Sequence, residues 1–210
     1  LHEMIRKTIK HHKHIIFNGN GYDENWIREA TEKRGLLNYR TTADAVPHII
    51  DKKNVDMLTS HGVFTEAEIK SRYEITLENY CKTIVIEANT MVDMAKTQIA
   101  PAVSAYALEL AKTSAAKKAL DSALACGYET NLVRKLSILT DRIYEDAAAV
   151  ESSVLSLTTA EDIGAEASLI RDEVLVRMSE LRVACDEAET LTAKSYWPYP
   201  TYADLLFSVQ

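Results

Sequence analysis

The stretch His61-Gly62-Val63-Phe64-Thr65-Glu66-Ala67-Glu68 decides how the chain is built. Gly62 can take the left-handed conformation that ends a helix, because it has no Cβ to clash. Just beyond it, Thr65-x-x-Glu68 has the form of a capping box. The threonine side chain is placed to take the Glu68 amide, and the glutamate to reach back to the Thr65 amide. One helix therefore stops here and another starts. Upstream the sequence is broken into short elements; downstream it is helical with little punctuation.

Upstream, Met4, Ile5 and Ile9 share one stripe of a short helix from His2 to about His12. Asn18-Gly19-Asn20-Gly21 is turn chemistry, and Asp23 can cap a second helix through about Lys33, with Gly35 ending it. Thr41 or Thr42 can cap a third, with Pro47 near its first turn, and a fourth runs from near Asp51 to Gly62. Four short elements in about sixty residues make a poor core and read as pieces that pack on something else.

Downstream, a helix is predicted from Glu66 to about Lys112, with Ile69, Tyr73, Leu77, Tyr80, Ile84, Ala88 and Met91 on one face. Pro101 lacks an amide donor and should kink or split it. Ser114 can cap a short Ala-rich helix that ends at Gly127. Asn131 can cap the next, to about Leu157, with a near-heptad seam of Leu132, Leu136, Leu139, Ile143, Ala147, Val150, Val154 and Leu157. Thr158-x-x-Glu161 has the form of a second capping box. The helix after it, to about Thr192, carries Ile163, Ala167, Ile170, Val174, Met178, Leu181, Cys185, Ala188 and Leu191 on its buried face. So short a connection forces an antiparallel hairpin. The seam could join two chains, but partners within the same chain favour a closed bundle. The predicted fold is all-α: short broken helices, then an antiparallel up-down bundle of three or four long helices. The tail Tyr196-Trp197-Pro198-Tyr199-Pro200-Thr201-Tyr202 reads as extended, because two prolines restrict it.

Composition narrows the function. The chain has 210 residues, 47% of them hydrophobic, and a net charge of -7. That length supports one or two domains. The acidic balance argues against nucleic-acid binding, which needs clustered Lys and Arg. No apolar run approaches the roughly 18 residues of a membrane span, and no signal-peptide pattern opens the chain. Cys81, Cys126 and Cys185 are scattered and odd in number, so they read as reduced thiols of a cytoplasmic protein. A chain that opens at Leu1 inside a helical pattern reads as a piece of a longer polypeptide.

Three segments together resemble a known family. The first is Ile15-Ile16-Phe17-Asn18-Gly19-Asn20-Gly21-Tyr22 with Trp26-Ile27-Arg28-Glu29-Ala30. The second is Thr42-Ala43-Asp44-Ala45 through Gly62-Val63-Phe64-Thr65-Glu66-Ala67-Glu68, then Ser71-Arg72-Tyr73-Glu74. The third is Trp197-Pro198-Tyr199-Pro200-Thr201-Tyr202-Ala203-Asp204-Leu205-Leu206-Phe207. The chain resembles the C-terminal end of a type III glutamine synthetase over nearly its whole length. On that resemblance, residues 1–64 are the tail end of the catalytic-domain region, 65–195 a helical extension and 196–210 the tail. It implies a parent glutamate–ammonia ligase of glutamine biosynthesis and nitrogen metabolism that uses ATP and Mg2+ or Mn2+. It also implies a homo-oligomer, a dodecamer of two hexameric rings, with the catalytic domain of the same polypeptide as partner. The resemblance implies metal ligands that are mostly glutamates on barrel strands, with phosphate-binding arginines nearby, and those strand motifs precede this region. No catalytic, cofactor-binding or metal residue carries over onto a position here.

The remaining candidates have plain readings. His11 and His14 have a spacing metals tolerate, but flanking lysines and the absence of a nearby Cys or acid favour a solvated basic face. Asn18 to Gly21 lacks a phosphate-loop pattern. Glu87 and Asp93 could be paired carboxylates, but on one helix they read as solvated or paired with Lys82 or Lys96. Cys126 has no His near in sequence to activate it. Trp197, Tyr199, Tyr202 and Phe207 are the candidate intermolecular contact; a tail closing its own bundle is the equal alternative. The expected function is a structural, assembly or regulatory C-terminal domain with no active site of its own. The alternative is a helical interaction or sensor module with no enzymatic parent.

Overall fold

The computed structural model describes residues 1–207, and these contain no β-strand. They form two compact units, residues 1–40 and residues from Thr41 onward.

The first unit holds α1 (His2–His12), a 3-10 turn (Lys13–Ile15) and α2, which runs from Glu24–Arg28 into a π-helical turn, Glu29–Lys33. Asp23 caps α2 as expected, its carboxylate accepting the Asn25 amide at 2.7 Å. Phe17 stacks on Trp26 with ring centroids 4.2 Å apart, and Arg34 lies over the same indole. Ala30 is the unit's buried apolar residue among those described. Met4, Ile5 and Ile9, the stripe of α1, are exposed. So little burial cannot offset the entropy of ordering some forty residues, roughly 1–2 kcal/mol each for the backbone alone.

The second unit opens with α3 (Thr42–Ala45), capped by the Thr41 hydroxyl, which accepts the Asp44 amide at 3.1 Å. A 3-10 turn containing Pro47 comes next, Val46–Ile50, and then α4, Lys52–Ser60. The stop after α4 is a Schellman motif: the Val63 amide donates to the Leu58 carbonyl, and the Gly62 amide to the Thr59 carbonyl, both at 3.0 Å. Gly62 has φ +65°, a conformation in which a Cβ costs about 1–2 kcal/mol. The Thr65 box is formed in both directions, with the Thr65 amide donating to Glu68 Oε2 at 2.7 Å.

From here one continuous helix, α5, spans 66–120. It is longer than the sequence suggested. Ser114 does not start a new helix, because the Ala- and Lys-rich segment around it has high helix propensity and carries α5 on to Leu120. The stop is Asp121, in extended backbone, whose carboxylate accepts the Ala123 amide at 2.8 Å. Pro101 does not split α5 either. A π turn, Ala95–Ile99, precedes it, and Pro101 falls in the first turn of the regular helix that resumes, where its missing donor costs little.

The next helix, α6 (Gly127–Ser156), starts at Gly127 instead of at Asn131. Glu129 in its first turn is 4% exposed and pairs with Lys117 near the end of α5. That pair clamps the connection and places Asn131 inside the helix. The second expected capping box is also absent. Thr158 lies in a 3-10 turn, Leu157–Thr159, and donates to the Leu155 carbonyl at 2.9 Å. The cap is Asp162, accepting the Ala165 amide at 2.8 Å. The third long helix, α7, spans 163–191, with a second π turn at Ile170–Val174.

The architecture is the expected all-α one: three long helices in an up-down bundle, with α6 packed on both α5 and α7. The expected stripes face inward. Leu77, Ala88, Leu136, Ile143, Val150, Ile170, Val174 and Leu181 are all fully buried in one core. Burying each large aliphatic side chain contributes about 1.5–3 kcal/mol. α3 is tied to α7 by Arg171, which bridges Asp44 and Asp172, the latter through two bonds of 2.7 Å. The tail is less extended than its prolines suggest. After its prolines comes a short helix, α8 (Tyr202–Leu206), where the Thr201 hydroxyl accepts the Asp204 amide at 3.3 Å.

Two consequences are measurable. Leu181→Ala should lower unfolding stability by about 2–5 kcal/mol, and Thr65→Ala by about 1 kcal/mol. Urea denaturation of both variants checks the ranking. In addition, the Thr41 hydroxyl first, and then Arg171, hold the Asp44 carboxyl below its ordinary 3.8. A folded-state pKa below the unfolded one adds stability above about pH 4 that disappears as pH falls through the folded value. Wild type should therefore exceed Asp44→Asn in stability at pH 7, and the two should converge on acidification. A pH-independent gap would contradict this.

Candidate functional site

The residues the sequence singled out do not converge on a catalytic centre. His11 and His14 are exposed. Each is within ring contact of His12, at 4.8 and 6.4 Å between centroids. Among the described residues no group of three or more His, Cys, Asp or Glu side chains could hold a metal ion. Asn18 to Gly21 is a turn: Asn20 Oδ1 accepts the Tyr22 amide at 3.0 Å, and the Asn20 carbonyl accepts the Asp23 amide. A Cβ on Gly19 would stand 2.6 Å from the tip of the Phe17 ring, so any larger residue there would make the ring shift.

Glu87 and Asp93 are both exposed on α5. The lysines that might have paired with them are engaged elsewhere, Lys82 with Glu78 at 2.8 Å and Lys96 with Glu151 at 2.5 Å. Cys126 is buried, with Sγ 3.7 Å from the Ser114 carbonyl. Burial pushes the thiols of Cys81 and Cys185 up to about 11. Those two are poor nucleophiles at neutral pH, because the reactive species is the thiolate.

The candidate contact residues of the tail separate. Trp197 and Tyr199 are half-buried and pack against the bundle's own core. Tyr196 lies beside Tyr106, centroids 5.2 Å apart. The side chain of Tyr202 lies outside the described residues. Phe207 is 81% exposed. An ion pair of 2.5 Å from Lys194 to Asp204 folds the last turn back toward the end of α7.

The structure adds a feature that sequence reading missed. Beside the π turn of α5, a groove of about 440 Å3 opens between α5 and α7. Ile86, Met91, Met94, Ile99 and Met178 line it, with Glu87, Arg182 and Asp186 among its polar residues. The methionines were a visible signal, since unbranched thioethers often fill irregular apolar sites. Read along one helix, however, they pass as core.

The comparisons with known proteins agree on one family. The model of the glutamine synthetase C-terminal domain matches residues 1–118. A glutamine synthetase of Butyrivibrio fibrisolvens is 38% identical over 99% of this chain and 30% of its own length. A type-3 glutamine synthetase of Dictyostelium discoideum is 28% identical over 98% of the chain and 28% of its own length. A glutamine synthetase of Bacteroides fragilis is 26% identical over 98% of the chain. The chain thus spans under a third of the length of these curated relatives. It is similar to them across both units, including the bundle beyond residue 118 that the family model does not reach. An all-α fold and these matches lead to one conclusion: the chain belongs to the glutamine synthetase C-terminal domain family.

Proposed function

We propose that this chain is the helical C-terminal part of a type III glutamine synthetase, with a structural, assembly or regulatory role and no active site of its own. The parent would be an ATP-dependent glutamate–ammonia ligase working in the cytoplasm. The observation that carries the proposal is the contrast between the two units. The first exposes the apolar stripe of α1 and buries little of its own surface. The second is closed around its own core. Such a first unit is the edge of a larger body, which in the relatives lies in the unmatched length.

In this reading the ATP and Mg2+ or Mn2+ of the parent reaction are bound by the part of the parent protein outside this chain. No helix among the described residues is long and apolar enough to cross a membrane. In this reading the boundary near residue 64 separates ancestral from added sequence. Residues 41–64 nevertheless pack with the bundle, through α3 and the turn after it. They join the added module to the catalytic region. In the tail, Trp197 and Tyr199 act as anchors in cis, and Phe207 is left for a contact with another subunit of a homo-oligomer. The alternative, a sensor module with no enzymatic parent, has no observation in its favour over this one.

Incubated with glutamate, ammonium, ATP and Mg2+, the 210-residue chain should release no glutamate-dependent phosphate. Release above background would overturn the proposal. Light scattering separates the tail's roles. If Phe207 makes a subunit contact, the wild-type chain should exceed its 23.5 kDa monomer mass at high concentration, and Phe207→Ser should return it to that mass. Equal masses would leave the tail closing only its own bundle.

A further inference from the structure

We propose that the methionine-lined groove between α5 and α7 is a binding site for a small amphipathic amine, an apolar body carrying one positive charge. Its volume of about 440 Å3 lies within the roughly 300–1,000 Å3 of small-molecule sites. Three of the chain's five methionines, Met91, Met94 and Met178, stand in it. Such side chains adapt to apolar ligands of varied shape.

The polar groups fix the sign of the ligand's charge. Arg182 Nε is engaged by Asp186 at 3.3 Å. The Thr90 hydroxyl donates to the Ile86 carbonyl at 2.8 Å. Glu87 has no ion pair or hydrogen bond among the described residues. The groove therefore carries two carboxylates, Glu87 and Asp186, against one guanidinium, Arg182, beside apolar walls, so its net charge is negative. An anion would be repelled by Glu87, and a neutral apolar molecule would leave that acceptor unused. An amine satisfies it while its apolar body fills the groove. A solvent-exposed ion pair of this kind is worth about 1.4-fold to fivefold in affinity; the apolar walls supply the rest.

The methionines also provide the readout. The chain carries 13C-methyl methionine at Met4, Met57, Met91, Met94 and Met178, and n-octylammonium is titrated as the probe. The signals of Met91, Met94 and Met178 should shift and saturate, while Met4 and Met57, which lie outside the groove, should not. Glu87→Gln, an exposed substitution that leaves the core intact, should weaken binding about 1.4-fold to fivefold, and octanoate should bind more weakly than octylammonium. Shifts of equal size at all five methyls would mean detergent-like association and overturn the site. So would an absence of saturation, or shifts of the three groove methyls with protein concentration alone, which would assign the groove to a second copy of the chain. Equal binding of octanoate, or an unchanged affinity in Glu87→Gln, would overturn the amine.

Discussion

Everything in this structure depends on three apolar stripes meeting along one seam. On α5, α6 and α7 they are Leu77 to Leu110, Leu136 to Val150 and Ala167 to Ala188, all fully or nearly fully buried. Maintaining such a seam over helices of this length is a geometric problem, because an α-helix turns about 100° per residue and a regular hydrophobic repeat drifts from its partner. The π turns at Ala95–Ile99 and Ile170–Val174 each fit one more residue into a turn. They rotate the helix beyond them, so that Ile99 and Val103 face the same core as Ala88 and Val92. Pro101 is accommodated by the first of them. A residue that would break an isolated helix thus sits just after a turn that resets its phase.

The polar ties act at the ends of the seam. Lys117 and Glu129 close the α5–α6 connection, and Arg171 fastens α3 to α7 through Asp44. Each joins residues from different elements, and each keeps a charged group satisfied where it is partly or wholly removed from water. Tyr80 shows the cost of crowding beside the second tie. Its buried hydroxyl, close to Asp44 and Arg171, has no hydrogen-bond partner among the described residues.

How far the sequence disclosed this depends on the range of each interaction. Ile69, Leu77 and Ala88 repeat at helical spacing, so the stripe of α5 could be read directly. Asp23, Thr41 and the Thr65 box act within a few residues, so those starts were legible too. Ser114, Asn131 and Thr158 have the right chemistry for caps but are overruled by their context. High local propensity carries the helix past Ser114, a pair with Lys117 starts α6 before Asn131, and a 3-10 turn absorbs Thr158. The Arg171–Asp44 tie spans 127 positions, and the groove exists only once α5 and α7 are side by side. Neither leaves a local pattern. The family could be recognised earlier than the geometry, because its motifs are contiguous in the chain.

The chain divides into a helical bundle closed around its own core and a first unit that leaves its apolar stripe exposed. Hydrogen exchange on the 210-residue chain, read peptide by peptide, tests that division most directly. The account predicts strong protection across the buried stretches of α5, α6 and α7, with residues 1–40 exchanging nearly as fast as an unfolded chain. Protection of residues 1–40 equal to that of the bundle would contradict it, because that unit would then be stable with its apolar stripe in water.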